Sequence, residues 1–239
     1  MKTLLNVAFV FWLLGGIACA GTERYAVERD VTASVTKDLS IDYHPSADGR
    51  RCIDGRLFAE GMERIDFWAS LECSYCGIRE VVKAQQAHPN WCIVVRHRPP
   101  SPEGLRKALA FEALKKFSSS AAILFWDSVI PKADLPVPRP YEGALLQAYS
   151  EASIPQDAFV ATLEGEAAGI VSADTAAGQH ISSTPTFVLQ GIRFASCDFT
   201  RLQLESALVL AQKARSGGAN AVQEIIKIIT RGRMNEKML

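Results

Sequence analysis

The feature that most constrains this chain is a pair of cysteines set between a strand and a helix. Arg64-Ile65-Asp66-Phe67-Trp68-Ala69 is rich in branched and aromatic side chains and reads as a strand. Cys73-Ser74-Tyr75-Cys76 follows closely, and a helix is predicted from near Cys73 through Ile78 to about Ala87. His88-Pro89-Asn90 stops that helix. Trp91-Cys92-Ile93-Val94-Val95-Arg96 is a second strand, ended by Pro99-Pro100-Ser101-Pro102. A strand–helix–strand unit of this length implies parallel pairing, because the crossover returns the chain to the same end of the sheet.

The flanking segments extend this unit. Arg56-Leu57-Phe58-Ala59 is a shorter strand candidate, and residues 21–50 read as an exposed, polar N-terminal arm. Residues 103–180 are Ala-rich, with Leu105, Leu109, Phe111 and Leu114 at roughly helical spacing. Further helices are predicted over residues 121–130 and 141–150, and a Pro-initiated one from Ile154-Pro155-Gln156-Asp157. Thr186-Phe187-Val188-Leu189 and Ile192-Arg193-Phe194-Ala195 flank Gln190-Gly191, which reads as a hairpin. Residues 202–214 are amphipathic, and residues 222–229 suit one last short helix. The whole is an α/β chain with a mixed sheet covered by helices.

Composition narrows the function. Lys+Arg and Asp+Glu are both 26, so the cation surplus that a nucleic-acid binder needs is absent. At 239 residues the chain can bury a core without disulfide staples, and six cysteines are too few for a disulfide scaffold. Each cysteine therefore needs its own explanation.

The N-terminus reads as an export signal. Lys2 precedes an uncharged, mostly apolar run over residues 4–17, and Ala18-Cys19-Ala20 supplies small residues for cleavage after Ala20. The run is shorter than the ~20 residues of a spanning helix, which argues against an uncleaved anchor. Gly16-Ile17-Ala18-Cys19 partly resembles a lipoprotein box, so lipidation at Cys19 stays open. Cleavage would leave 25 basic and 26 acidic residues, and five cysteines: Cys52, Cys73, Cys76, Cys92 and Cys197. The expected location is the periplasm or another secreted compartment, where disulfides persist.

The dithiol carries the chemistry. At a helix N-terminus, unpaired amides and the dipole favour an anion, so the Cys73 thiol is expected below its free value. Cys76, about one turn on, is placed to resolve a mixed disulfide that Cys73 forms. A zinc half-site would need four ligands, yet there is no second CxxC, and His44, His88, His97 and His180 are scattered. An inert bridge over so few residues would stabilise little. Ser183-Thr184-Pro185-Thr186-Phe187 is the second signal. Pro at a buried strand start lacks the ladder N–H, and a cis Thr184–Pro185 bond is the favoured reading.

The CxxC and the Thr-Pro, in this order around a helical insertion, together resemble the DsbA-like thiol:disulfide oxidoreductases of the bacterial envelope. The resemblance covers roughly residues 55–212 and implies a thioredoxin-like mixed sheet with an all-helical insertion. It divides the chain into a signal peptide (1–20), an N-terminal arm (21–54), a thioredoxin-like domain (55–102 and 181–215), the insertion (103–180) and a C-terminal tail helix (216–239). It implies Cys73 as nucleophile, Cys76 as resolving thiol, Ser74 and Tyr75 as the residues between them, Pro185 as the cis-proline beside the disulfide and Thr184 as a backbone partner for extended substrates. Asp66 resembles the buried acid that relays a proton to the resolving thiol. The loop to Cys73 is one residue longer here, so a partly exposed strand carboxylate is an equal reading. His97 reads as a solvated strand-end histidine, with a charge near the site as the alternative.

Within the family the strongest oxidants carry Pro-His between the cysteines, and Ser74-Tyr75 offers no such positive charge. Thr before the proline is also more like isomerase and reductase members. A less oxidising couple is the expectation. A thioredoxin-like sheet would make the strands near Cys52 and Cys92 parallel neighbours, which implies a Cys52–Cys92 disulfide. Cys197 reads as a lone buried thiol or a site for a mixed disulfide. The resemblance implies a secreted enzyme acting on cysteines of exported proteins, a membrane redox partner that recycles it, and neither metal nor organic cofactor. A disulfide isomerase or reductase, and a thioredoxin-fold chaperone or metal carrier, are the alternatives.

Overall fold

A computed structural model describes residues 49–132, 138–181, 183–189 and 192–195. The expected signal segment, most of the N-terminal arm, the turn expected at Gln190-Gly191, Cys197 and the helices expected over residues 202–214 and 222–229 lie outside the described residues. Four strands form one mixed sheet: β1 (Glu63–Ala69), β2 (Trp91–His97), β3 (Thr186–Leu189) and β4 (Ile192–Ala195), in the order β2-β1-β3-β4. β1 pairs parallel with β2, from Glu63↔Trp91 to Ala69↔His97, and antiparallel with β3, including Phe67↔Phe187. β3 and β4 are antiparallel neighbours. This is the parallel pair plus closing hairpin that the sequence order implies.

Helix α1 (Ile78–Ala87) is the crossover. It buries Ile78, Val81, Ala84 and Gln85, one stripe at helical spacing. Gln85 closes the turn into β2: its Nε2 donates to the Trp91 carbonyl (2.7 Å) and its Oε1 accepts from Ile93 N–H (2.8 Å). The helix begins at Ile78 rather than near Cys73. Gly77, at the N-cap, has extended backbone (φ −63°, ψ 125°), so the helix cannot reach back to the cysteines.

The insertion holds α2 (Pro102–Phe117), α3 (Ser119–Val129), α4 (Tyr141–Ala152), α5 (Gln156–Thr162) and α6 (Ala168–Ala177), the last two joined through a π-helical turn at Leu163–Ala167. Its boundaries follow local chemistry. Ser101 caps α2 by accepting from Gly104 N–H, with Pro102 in the first turn, where its missing N–H costs nothing. Ser118 caps α3 by accepting from Ala121 N–H. Phe111, Phe125 and Trp126 are fully buried and pack the insertion onto the sheet face that carries Ile65 and Phe67.

Side chains alternate across a strand, so Ile65, Phe67 and Ala69 share one face while Arg64, Asp66 and Trp68 take the other. The second face carries a small apolar patch of Cys52, Cys92 and Val94, with Phe58 and Met62 against it. Cys52 and Cys92 are joined by a disulfide, with Cα atoms 4.9 Å apart. Cys52 does not sit on a paired strand, however. The expected strand at residues 56–59 reduces to one bridge, Arg51↔Leu57, because Cys52–Arg56 closes a tight turn (Cys52 N–H to Arg56 O, 2.8 Å). Gly55 makes that turn with φ +89°, a conformation that side-chain-bearing residues rarely adopt. The end of the N-terminal arm is also packed rather than exposed. Arg50, Cys52 and Ile53 are buried, and Ile53 N–H donates to Ile93 O (2.7 Å) beside the outer strand β2. That contact covers part of an edge that would otherwise present unpaired backbone groups.

Candidate active site

The site grows from the end of β1. Ser70, just past the strand, organises the loop: its carbonyl accepts from Cys73 N–H (3.1 Å) and its hydroxyl from Glu72 N–H (3.1 Å). Leu71 is buried and pins the loop to the core. Cys76 N–H then donates to Cys73 O (3.0 Å), so the two cysteines share one turn ahead of α1. Both are free thiols. Cys73 is half-buried and Cys76 fully buried, while Ser74 and Tyr75 lie exposed between them, Tyr75 at 54%.

The second segment arrives with β3. Thr186 pairs with Trp68, which brings the preceding Thr184–Pro185 to the end of β1 that leads to the cysteines. The Thr184–Pro185 peptide is cis. The Cys73 thiol donates to the Thr184 carbonyl (3.3 Å). Cys73, Cys76, Thr184 and Pro185, 111 residues apart at the Cys73–Thr184 contact, therefore form one site.

The two thiols are driven apart electrostatically. Cys73 is lowered to about 6, chiefly by the hydrogen bond from the Cys76 thiol; burial opposes this, and the Thr184 side chain and the Tyr75 and Cys76 backbone amides add to it. Cys76 is raised, chiefly by burial and then by the bond it gives to Cys73. The direction expected for Cys73 is present, but from a different source. The helix starts at Ile78, so local turn amides and the partner thiol replace the helix terminus as the stabilising groups.

Asp66 is not part of this constellation. It lies on the face away from Phe67, whereas Cys76 belongs to the core cluster with Ile65 and Phe67. Its setting has the burial of the first reading and not the exposure of the second. It is buried, and its Oδ1 accepts from Arg64 Nε (3.1 Å) and Arg96 Nε (3.1 Å). Arg96 also donates to Asp174 on α6 (3.0 Å), and Arg50 pairs with the same carboxylate. This buried network ties the N-terminal segment, the sheet and the insertion together.

His97 also departs from expectation. It ends β2 but is 1% exposed, because α2 covers it. Its Nε2 lies 2.8 Å from Glu112 Oε1, and its ring meets Phe111 edge-on. Glu112 also accepts from Lys115 Nζ (2.8 Å) and is held down at about 2: Lys115 and His97 outweigh the burial that opposes them. Sequence reasoning missed Glu112, Lys115 and Glu72. Glu112 was detectable in principle, since Ala108, Phe111, Glu112 and Lys115 fall on one helical stripe. Trp126, inside the helix predicted over residues 121–130, donates from Nε1 to the Cys76 carbonyl (3.0 Å). Among the described residues no group of three or more His, Cys, Asp or Glu side chains could hold a metal, and no helix is long and apolar enough to cross a membrane.

No family model matches the sequence, and no curated protein matches it. Solved structures do. A thioredoxin-like oxidoreductase from Silicibacter pomeroyi aligns over 65% of this chain and 89% of its own, with 21% identity and a TM-score of 0.51. The thiol-disulfide exchange protein alpha-DsbA2 from Wolbachia pipientis aligns over 79% and 97%, with 12% identity and a TM-score of 0.53. The oxidoreductase DsbA from Xylella fastidiosa aligns over 72% and 94%, with 16% identity and a TM-score of 0.50. The chain thus has a DsbA-like thioredoxin fold, a mixed sheet with a helical insertion. The solved structures it is similar to are thiol-disulfide oxidoreductases.

Proposed function

We propose that this chain is a thiol:disulfide oxidoreductase that exchanges disulfides with cysteines of exported proteins. The observation that carries the reading is geometric: two free thiols share one turn, Cys73 half-buried and Cys76 buried, and Cys73 Sγ lies 3.3 Å from the carbonyl of Thr184, which precedes the cis proline. The oxidised pair accepts attack at Cys73 Sγ by a substrate thiolate. The Cys73–Cys76 bond breaks, a Cys73–substrate bond forms, and Cys76 leaves and takes up a proton. A second substrate thiolate then attacks the substrate sulfur of that mixed disulfide and expels Cys73 as thiolate. The substrate loses two electrons and the dithiol gains them. In the reverse direction Cys73 thiolate attacks a substrate disulfide, and Cys76 resolves the product. A lowered Cys73 makes it both available as thiolate and a good leaving group.

The direction of net flow follows from the potential. Cys73 is lowered to about 6, well short of the ~3.5 of the strongest oxidant. Tyr75 adds no positive charge to lower it further. The reading is a couple less oxidising than that oxidant, in a protein exported by its residues 1–20 and recycled by a membrane redox partner. Equilibration with glutathione tests it. A potential of ~−200 mV or below fits isomerisation or reduction, with electrons supplied by the partner, while ~−120 mV makes the protein a disulfide donor. The Cys76→Ser variant tests exchange itself. It should accumulate a Cys73-linked mixed disulfide with reduced-and-reoxidised exported proteins, visible on non-reducing gels. Absence of any such adduct, with Cys73 free to alkylate, would sink the function.

A further inference from the structure

The loop that carries the dithiol is bonded at both ends to the helical insertion. Before the first cysteine, Glu72 Oε1 accepts from the Ser101 hydroxyl (2.7 Å), and the same hydroxyl oxygen accepts from Gly104 N–H (3.0 Å). Ser101 therefore passes the pull of the α2 N-terminus on to a carboxylate one residue from the nucleophile. The fit is close. Glu72 Oε2 is buried over Gly104 with no hydrogen-bond partner among the described residues, and a Cβ at 104 would strike it. After the second cysteine's N–H is spent within the turn, its carbonyl is taken by Trp126 on α3. Trp126 has no freedom to follow a moving loop. It is fully buried against Phe111 (ring centroids 5.0 Å), His97 (6.3 Å) and Phe67 (6.4 Å).

We propose that the helical insertion works as a two-point clamp on the CxxC turn, with Glu72, Ser101 and Trp126 as positioning residues that hold Cys73 and Cys76 in register with Thr184. The insertion then acts on the chemistry rather than only covering it. The groups that favour the Cys73 thiolate are hydrogen bonds from Cys76, Thr184 and two turn amides. Such bonds weaken steeply once distance and angle drift. A loosened turn loses them, the thiolate is less favoured, and the reduced form loses stability relative to the disulfide. The clamp rests on the exchange reading for its biological purpose, but its test needs no substrate.

The test is the Cys73 ionisation, followed by thiolate absorbance at 240 nm, together with the equilibrium constant against glutathione, in the full chain. Trp126→Phe keeps an aromatic ring in the core but removes the N–H together with part of the indole, so its fold and stability are measured alongside. Ser101→Asp keeps a good helix cap, since Asp and Ser cap about equally well, but has no proton to give Glu72 and repels it. Both variants should raise the Cys73 pKa and shift the glutathione equilibrium toward the disulfide by roughly three- to tenfold each, the loss expected for one hydrogen bond. Glu72→Ala and Glu72→Gln both remove a negative charge one residue from Cys73, which favours the thiolate alike in both, but Gln keeps an acceptor for Ser101, so Ala should lie roughly three- to tenfold further than Gln toward a higher Cys73 pKa and the disulfide. The clamp is overturned if Ser101→Asp restores parental values that Ser101→Ala has lost, since helix capping alone would then explain Ser101. It is also overturned if Glu72→Gln shifts as far as Glu72→Ala, or if Trp126→Phe and Ser101→Asp, both folded by circular dichroism, leave ionisation and equilibrium within about twofold of the parent. A chain that shows these shifts yet forms no mixed disulfide would keep the clamp and lose the proposed function.

Discussion

Two pairs of cysteines sit on opposite faces of one sheet, and they differ in everything but their sulfur. Cys52 and Cys92 are fully buried among Val94, Phe58 and Met62, are bonded to each other, and lie 40 residues apart in sequence. Cys73 and Cys76 are free, three residues apart, with Cys73 reaching the surface. The first pair is packed among apolar side chains and closes a long loop. The second closes almost none, but its neighbours donate hydrogen bonds to one sulfur and bury the other. A disulfide stabilises mainly through the length of chain it restrains, and a thiol reacts according to its thiolate character. The sheet thus separates a bonded pair from a free one.

The sharpest break in this comparison is to remove each pair in turn. Cys73→Ser should abolish exchange with a disulfide reporter such as insulin while leaving the thermal transition of the reduced protein nearly unmoved. The paired variant Cys52→Ala/Cys92→Ala should do the opposite. It should lose about 4 kcal/mol in urea unfolding, the loop-closure estimate for this separation, and keep the Cys73 alkylation rate. If the double variant lost exchange at full foldedness, the two pairs would not be separable. The next largest effect concerns the buried charges on the reactive face. Glu112→Ala leaves Lys115 buried without its carboxylate and should cost about 3 kcal/mol or more by denaturant titration. Glu112→Gln, which keeps the shape and an acceptor, should cost less.

The ionisation of Cys73 sharpens the comparison in a different variable. Its value is lowered to about 6 from an ordinary 9.0, so the thiolate is full well above pH 6 and is lost as pH falls through it. Iodoacetamide modification of the reduced protein should rise about tenfold between pH 5 and 7 and then level off. A rate still climbing steeply at pH 8 would mean an ordinary thiol. Because the shift is downward, the stability it contributes to the reduced protein is full above the unfolded thiol's value and falls away as pH drops from there toward 6.

These contrasts were partly legible in the sequence. The strand pair, the hairpin and the helical insertion follow from periodicity, and the order of Cys73, Cys76 and Pro185 locates the site. The Cys52–Cys92 pairing came from the resemblance, and it forms although Cys52 occupies a turn and not the strand expected for it. What the sequence hid were contacts set by packing between distant elements. His97 carries no local mark of burial, because the helix that covers it begins only after the Pro-rich turn. Glu72 looks like a loop acid until Ser101 and Gly104 are brought beneath it. The helix start failed for a local reason: Gly77 takes an extended backbone that the surrounding periodicity does not announce.

Asp66 gives the smallest expected effect on exchange and the cleanest check on which face does chemistry. Strand alternation puts it behind the sheet from Cys76, and Arg64 and Arg96 occupy its carboxylate. A proton relay to Cys76 would require it to release those partners and reach across the strand. Asp66→Asn keeps the size but removes the charge that two arginines share. Stability should fall, because buried guanidinium groups lose a counter-ion. The pH dependence of mixed-disulfide resolution by Cys76 should not move, since Asp66 and Cys76 lie on opposite faces of the sheet. A shift in that profile, with the Cys73 ionisation unchanged, would return Asp66 to the reaction and overturn the division of labour between the two faces.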